Sequence, residues 1–289
     1  MTDTRFFTLP NGAKLAYAEF GDLSGKPMFY FHGSPGSRLE GRLFEQAAKQ
    51  KSLRLIAPER PGMGSSNFQP GITWLEQADQ IGLLADNLGL GQFAVMGYSG
   101  GGTLAQTCAY VLSDRVTNAI LVGSWAPISG NPDLFELLAP LDKFFYRVGK
   151  NTPALFNLPF YMFLFAARHL STKGFLDSFK SSMSTVDWEM AQEEGFGAFL
   201  QEDLVAAFSQ GVRGPGYDAL IQYADWGFKI SEIKAPVHIL HGTEDKFAPY
   251  PFAEYLHQQI PGSQLHTYPG DGHFAIHHRV AEVLETIDL

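Results

Sequence analysis

Met96-Gly97-Tyr98-Ser99-Gly100-Gly101 decides how this chain is read: a serine stands among small residues, just after an apolar run and just before a helical pattern. Gly97 and Gly101 bracket Ser99 in the spacing G-x-S-x-G. A serine held at a sharp strand-to-helix turn adopts a strained backbone, and side chains two residues to either side would collide there. Glycine removes both collisions because it carries no Cβ. The turn lifts the hydroxyl clear of the sheet and leaves the next amide, Gly100 N–H, facing the place where an oxyanion would form. The spacing is short, so the rest of the chain has to supply what it requires.

Working outward, residues 93–96 read as the strand entering the turn and 103–111 as the helix leaving it. Upstream, 5–9 and 14–20 flank Pro10-Asn11-Gly12 and read as a hairpin. Strands at 28–31 and 53–57 alternate with helical spacing at 38–49 and 75–88, and a further buried strand falls at 116–122. The rhythm breaks after Trp125: helical patterns rich in Phe and Tyr run to about Lys229. It resumes with a strand at 237–240, a helix at 251–260, a strand at 264–268 and a helix at 276–287. Such alternation predicts an α/β fold with a mostly parallel central sheet of about eight strands and helices on both faces. The expected division is a core of 1–125 and 230–289, with a helical insertion, 126–229, between the sixth and seventh strands.

Composition narrows the function. The chain has 289 residues, 45% hydrophobic and 18% charged, with a formal charge of −9. That charge disfavours nucleic acid and anionic membrane surfaces, both of which select basic patches. Cys108 is the only cysteine, so no intrachain disulfide or thiolate metal site can form. The N-terminus lacks the apolar stretch of a signal peptide, and the most apolar run, 158–167, is too short to cross a bilayer. A cytoplasmic protein, monomeric or homodimeric, is expected.

A nucleophilic serine needs a base, and the base needs an acid to orient it. The strand at 237–240 runs into His241-Gly242-Thr243-Glu244-Asp245, and the last strand runs into Pro269-Gly270-Asp271-Gly272-His273-Phe274. Carboxyl ends of parallel strands share one edge, so Ser99, an acid at 244 or 245, and His273 are expected to meet there. His32-Gly33-Ser34-Pro35-Gly36 leaves a strand at the same edge, with Ser34 N–H as the natural second donor beside Gly100 N–H.

Taken together, these stretches carry a resemblance. His-Gly-x-Pro-Gly at 32–36, Arg-Pro-Gly-x-Gly-x-Ser at 60–66, Gly-Tyr-Ser-Gly-Gly at 97–101, His-Gly-x-x-Asp at 241–245 and Gly-x-Gly-His-Phe at 270–274 stand in order along the sheet portion. The chain resembles the α/β-hydrolase superfamily, within it the cap-bearing, esterase-like branch. The resemblance implies Ser99 as nucleophile, His273 as general base and Asp245, rather than Glu244, as its orienter. It also implies an oxyanion hole from the Ser34 and Gly100 amides, and a cap that walls the substrate pocket. His32, Gly33, Gly97, Tyr98 and Gly101 then support the loop and elbow. Glu59 stands where the family often has Asp, a position that supports the loop.

Other patterns carry less. Gly89-Leu90-Gly91-Gln92-Phe93-Ala94 matches a dinucleotide fingerprint but precedes a strand instead of following one. His273 and His277 are four apart, but Phe274 stands where a zinc hydrolase needs Glu. No metal or organic cofactor is expected. Asp271 is read as fixing its loop, His277 and His278 as surface residues, and Cys108 as a core filler. A membrane-surface role for 158–170 is disfavoured, since Arg168 is its only Arg or Lys. The expected activity is carboxylic-ester hydrolysis of apolar acyl or aryl esters of short to medium size. The same residues would also serve C–C bond cleavage, amide or iminopeptidase chemistry, lactone opening or perhydrolysis. A non-catalytic small-ligand receptor is the rival from another class.

Overall fold

A computed structural model describes residues 3–151 and 155–285. Eight strands form one sheet: β1 (Arg5–Thr8), β2 (Lys14–Gly21), β3 (Lys26–Phe31), β4 (Leu53–Pro58), β5 (Phe93–Tyr98), β6 (Val116–Val122), β7 (Val237–Gly242) and β8 (Gln264–Tyr268), in the order β1-β2-β4-β3-β5-β6-β7-β8. The first two are antiparallel to their neighbours, and every later pairing is parallel. The hairpin closes as its turn residues require. Gly12 takes a φ of +82°, and the Asn11 side chain accepts the Ala13 N–H at 2.9 Å.

Alternation along the central strands divides the core in two. Phe29 and Phe31 of β3 join Val95, Leu121 and Ile239 on one face, while Met28 and Tyr30 join Ala94, Ile120 and Leu240 on the other. Burial on both faces is why these strands read as unbroken apolar runs. Helices Trp74–Asn87 and Gly101–Val111 cover the first face through Ala78, Ile81 and Leu104, with Cys108 among them as a core filler. Helices Glu45–Gln50 and Ile276–Glu285 cover the second through Ala48, Val283 and Leu284.

One helix differs from its spacing. Residues Arg38–Phe44 wind as 3₁₀ and become α-helical only at Glu45–Gln50. Apolar spacing does not separate the two windings; here the Ser37 cap and the loop it closes hold the tighter one. The last helix is described to Glu285, so Ile287 lies outside the described residues. Between β6 and β7 the described residues form helices and turns with no strand, from Pro132–Glu136 to Arg213–Gln222. No helix among the described residues is long and apolar enough to cross a membrane.

Candidate active site

The elbow forms because the chain can reverse there only with glycine on both flanks. β5 ends at Tyr98, Ser99 sits at a φ of +53°, and the helix begins at Gly101. A Cβ on Gly97 would stand 2.3 Å from the Gly101 carbonyl oxygen, and one on Gly101 would stand 2.2 Å from that of Phe31. Ser99 N–H donates to the Val122 carbonyl at 2.9 Å, which ties the strained residue to β6. The serine lines a cavity of about 250 Å³ whose other walls include Tyr98, His273, Phe175, Phe179 and Leu204.

His273 meets Asp245, not Glu244. Its Nδ1 lies 2.7 Å from Asp245 Oδ2, whereas Glu244 is exposed. Asp245 Oδ1 accepts the Phe247 and Ala248 N–H groups at 2.8 Å each, so the carboxylate is held from both sides. Burial works against its charge, but His273 and His241 outweigh it and hold the acid well below the usual carboxylate range. For His273, burial favours the neutral ring, yet the Asp245 carboxylate prevails and raises its pKa above 6.5. The pair fits closely beneath Gly123, where a Cβ would lie 3.2 Å from both His273 Nδ1 and Asp245 Oδ2. Rings of Tyr98 and Phe247 flank the imidazole at 5.0 Å. Ser99 and His273 face the same cavity with no hydrogen bond between them among the described residues. Such contacts often tighten only when substrate binds.

The loop after β3 abuts the elbow. A Cβ on Gly100 would lie 2.5 Å from Ser34 Cβ and 3.5 Å from Ser34 N, which leaves the two backbones side by side. What holds this loop was not legible in motif spacing. Buried Arg60 donates from Nη1 to the His32 carbonyl at 2.5 Å and from Nη2 to the Gly33 carbonyl at 2.9 Å. The same guanidinium grips Asp218, of helix Arg213–Gln222, at 2.7 and 3.0 Å, and Ser34 Oγ donates to Asp218 Oδ2 at 2.5 Å. His32 is buried and accepts the Arg60 N–H at Nε2. Gly33 N–H donates to both oxygens of Glu40 at 3.0 Å, and Tyr30 donates to Glu40 at 2.7 Å.

Three further carboxyl groups line the cavities, none of them singled out by the sequence. Asp203, of helix Phe196–Ala207, hydrogen-bonds to Ser37 and meets Glu40. Burial, with the neighbouring Glu40 carboxyl, pushes Asp203 well above the usual carboxylate range, and burial likewise raises Glu40. Asp142 faces a second, adjoining space of about 200 Å³ walled by Trp125, Phe145, Phe163 and Tyr223. Burial raises its pKa from 3.8 to about 6 against the pull of the Tyr223 hydroxyl bond at 2.9 Å.

Other sequence readings find their places. Glu59 ion-pairs with Arg38 at 2.5 Å and accepts Ser65 N–H at 2.6 Å, which makes it a loop support. Asp271 holds Arg279 at 2.7 Å, while the His273 ring pairs with Asp245. His278 is exposed and pairs with Glu193; the His277 side chain lies outside the described residues. No group of His, Cys, Asp and Glu among the described residues is arranged to hold a metal.

Comparison with known proteins identifies the family of the fold. The family described as having the alpha/beta hydrolase fold matches residues 26–279. The chain is 24% identical to a bifunctional esterase/perhydrolase of Acinetobacter calcoaceticus, over 93% of its own length and 92% of the relative's. It is 28% identical to a 2-hydroxymuconate semialdehyde hydrolase of Pseudomonas putida, over 86% and 81%. A thermophilic esterase structure from Thermogutta terrifontis superposes with a TM-score of 0.71 at 21% identity, covering 98% of this chain and 97% of that one.

Proposed function

The chain belongs to the alpha/beta hydrolase fold family, and within it we propose a serine carboxylesterase acting on apolar acyl or aryl esters of short to medium size. One observation carries the proposal: a serine at positive φ opens into an apolar cavity between a His273–Asp245 pair and the abutting Ser34 and Gly100 backbones. Ser99 Oγ attacks the ester carbonyl while His273 Nε2 takes its proton. The tetrahedral oxyanion falls between the Ser34 and Gly100 N–H groups, each contributing about 3 kcal/mol in the transition state. His273 then protonates the leaving alcohol, and water repeats the sequence on the acyl-enzyme. Asp245 holds the imidazole in the tautomer with Nε2 unprotonated. In this scheme residues 126–229 are the cap, whose Phe175, Phe179 and Leu204 wall the acyl space.

The ester reading is favoured over cleavage of C–C bonds in carboxylate-bearing substrates by the charges in the cavity. Glu40, Asp142 and Asp203 line the space beside Ser99. Lys246 lines the adjoining space, is exposed, and donates to the Met183 carbonyl. An anionic substrate would meet carboxyl groups inside and no Lys or Arg among the described residues lining the Ser99 cavity.

Turnover of p-nitrophenyl acetate through octanoate, with Ser99→Ala as control, tests the proposal. Loss of turnover in Ser99→Ala and labelling of Ser99 by a fluorophosphonate are expected. Equal turnover by the variant would remove Ser99 from the chemistry, and an unlabelled, folded protein would point to a receptor.

A further inference from the structure

Nine of the twelve exposed large apolar side chains among the described residues lie between Leu137 and Leu170. They follow helical spacing. On Leu158–His169, Phe160, Ala166 and Ala167 face inward, while Leu158, Tyr161, Met162 and Phe165 face out, with Met162 73% exposed. The neighbouring helix Pro140–Asn151 buries Phe145 against Phe160 at 5.5 Å and turns Leu141 and Phe144 outward. A surface helix that packs one side on a body ordinarily carries polar residues on the other. Here the outer stripe of Leu158–His169 is apolar and exposed Leu141 and Phe144 of the neighbouring helix add to it, and contiguous exposed apolar surface marks an interaction site.

Charge selects the occupant. The segment 137–170 holds Lys143, Arg147, Lys150 and Arg168 against a single acid, Asp142, within a chain of net charge −9. Asp142 faces the interior space, so its charge is turned away from this face. Lys143 bonds Glu136 just outside the segment, while Arg147 and Arg168 are exposed. A second copy docked by a two-fold axis would bring together two faces that carry the same excess of positive charge. A surface with anionic headgroups would meet them with opposite charge, and screening over about 10 Å leaves the distant acids of the body little influence. The apolar stripe also reaches the interior: Leu141 is 46% exposed and lines the space adjoining the Ser99 cavity.

We propose that the outer faces of helices Pro140–Asn151 and Leu158–His169 dock on an anionic lipid surface, with Leu158, Tyr161, Met162 and Phe165 entering the acyl boundary. The sequence alone disfavoured this because helix Leu158–His169 carries one Arg and no Lys; the fold packs helix Pro140–Asn151, which carries Lys143 and Arg147, against it through Phe145 and Phe160. Docking there would place the second cavity beside the layer where apolar esters dissolve.

The test is flotation of the full chain with vesicles of phosphatidylcholine, alone or mixed equally with phosphatidylglycerol, alongside sedimentation velocity without vesicles. Binding needs no catalysis, so a protein without esterase activity would still float. Flotation is expected with the mixed vesicles, weaker at high salt, and reduced by about tenfold or more in Met162→Glu and in Phe165→Glu. Leu23→Glu, which alters an exposed leucine outside the segment, is expected to float like the parent. Circular dichroism confirms that each variant is folded. The proposal is overturned if folded parent protein fails to float, if Leu23→Glu weakens binding equally, or if a dimer forms that Phe165→Glu dissolves.

Discussion

Asp142→Asn is expected to stabilise this protein, and to do so more at alkaline than at acidic pH. The Asp142 carboxyl faces an aromatic-walled space and keeps one hydrogen bond, from Tyr223. Burial raises its pKa from 3.8 to about 6, so the folded state holds a proton that the unfolded chain has released. The stability tied to that proton is present in full below pH 3.8 and is lost as pH rises through about 6. In full it amounts to about 3 kcal/mol, of which about 1 kcal/mol is lost between pH 5 and pH 8. Asparagine offers Tyr223 the same acceptor and has no proton to lose. Urea unfolding of parent and variant at both pH values isolates this effect, because the other titrating groups are common to both. The variant should gain about 1 kcal/mol on the parent between pH 5 and 8. A difference that does not change with pH would mean that the Asp142 carboxyl is solvated, and the reasoning would fail.

Asp245→Asn should lower kcat for p-nitrophenyl esters by about a thousandfold to ten-thousandfold, since an amide leaves His273 in the wrong tautomer; retention of more than a tenth of the activity would refute its role. Because the base must be neutral, and Asp245 raises His273, kcat/KM of the parent should fall on the acid side with a midpoint above pH 6.5. A midpoint below 6.5 would contradict the pairing. Gly101→Ala places a Cβ against the Phe31 carbonyl and should cost more than about 3 kcal/mol in urea unfolding; a loss below about 1 kcal/mol would show that the elbow yields.

The sheet and elbow were legible because their constraints are local. Strands such as β3 and β5 are short apolar runs closed by glycine and proline, and Ser99 announces itself through the glycines that its backbone requires. Asp245 and His273 were legible because each sits just past a strand whose end the fold places at a shared edge. Glu40, Asp203 and Asp218 leave no comparable mark. Asp218 is 184 residues from Ser34, and only the docking of helix Arg213–Gln222 brings it there. The outward turn of Leu158, Tyr161 and Met162 was hidden for the opposite reason: Leu158–His169 is apolar nearly all round, so its sequence does not say which side is covered. The 3₁₀ winding of Arg38–Phe44 depends on the loop that Ser37 closes, not on its apolar pattern.

The Arg60–Asp218 bridge has a consequence for anyone who would rebuild this enzyme. Its arginine comes from the chain before the elbow and its acid from the stretch that walls the pocket, and both are all but sealed from water. Trimming that stretch, or transplanting one from a relative that lacks an acid at the same place, would strand a guanidinium in the interior at about 3–5 kcal/mol. The penalty would fall on the very carbonyls that shape the loop at Ser34. Specificity here cannot be exchanged as a separate module: a donor stretch must arrive with its own counter-ion, or the recipient must give up Arg60 as well.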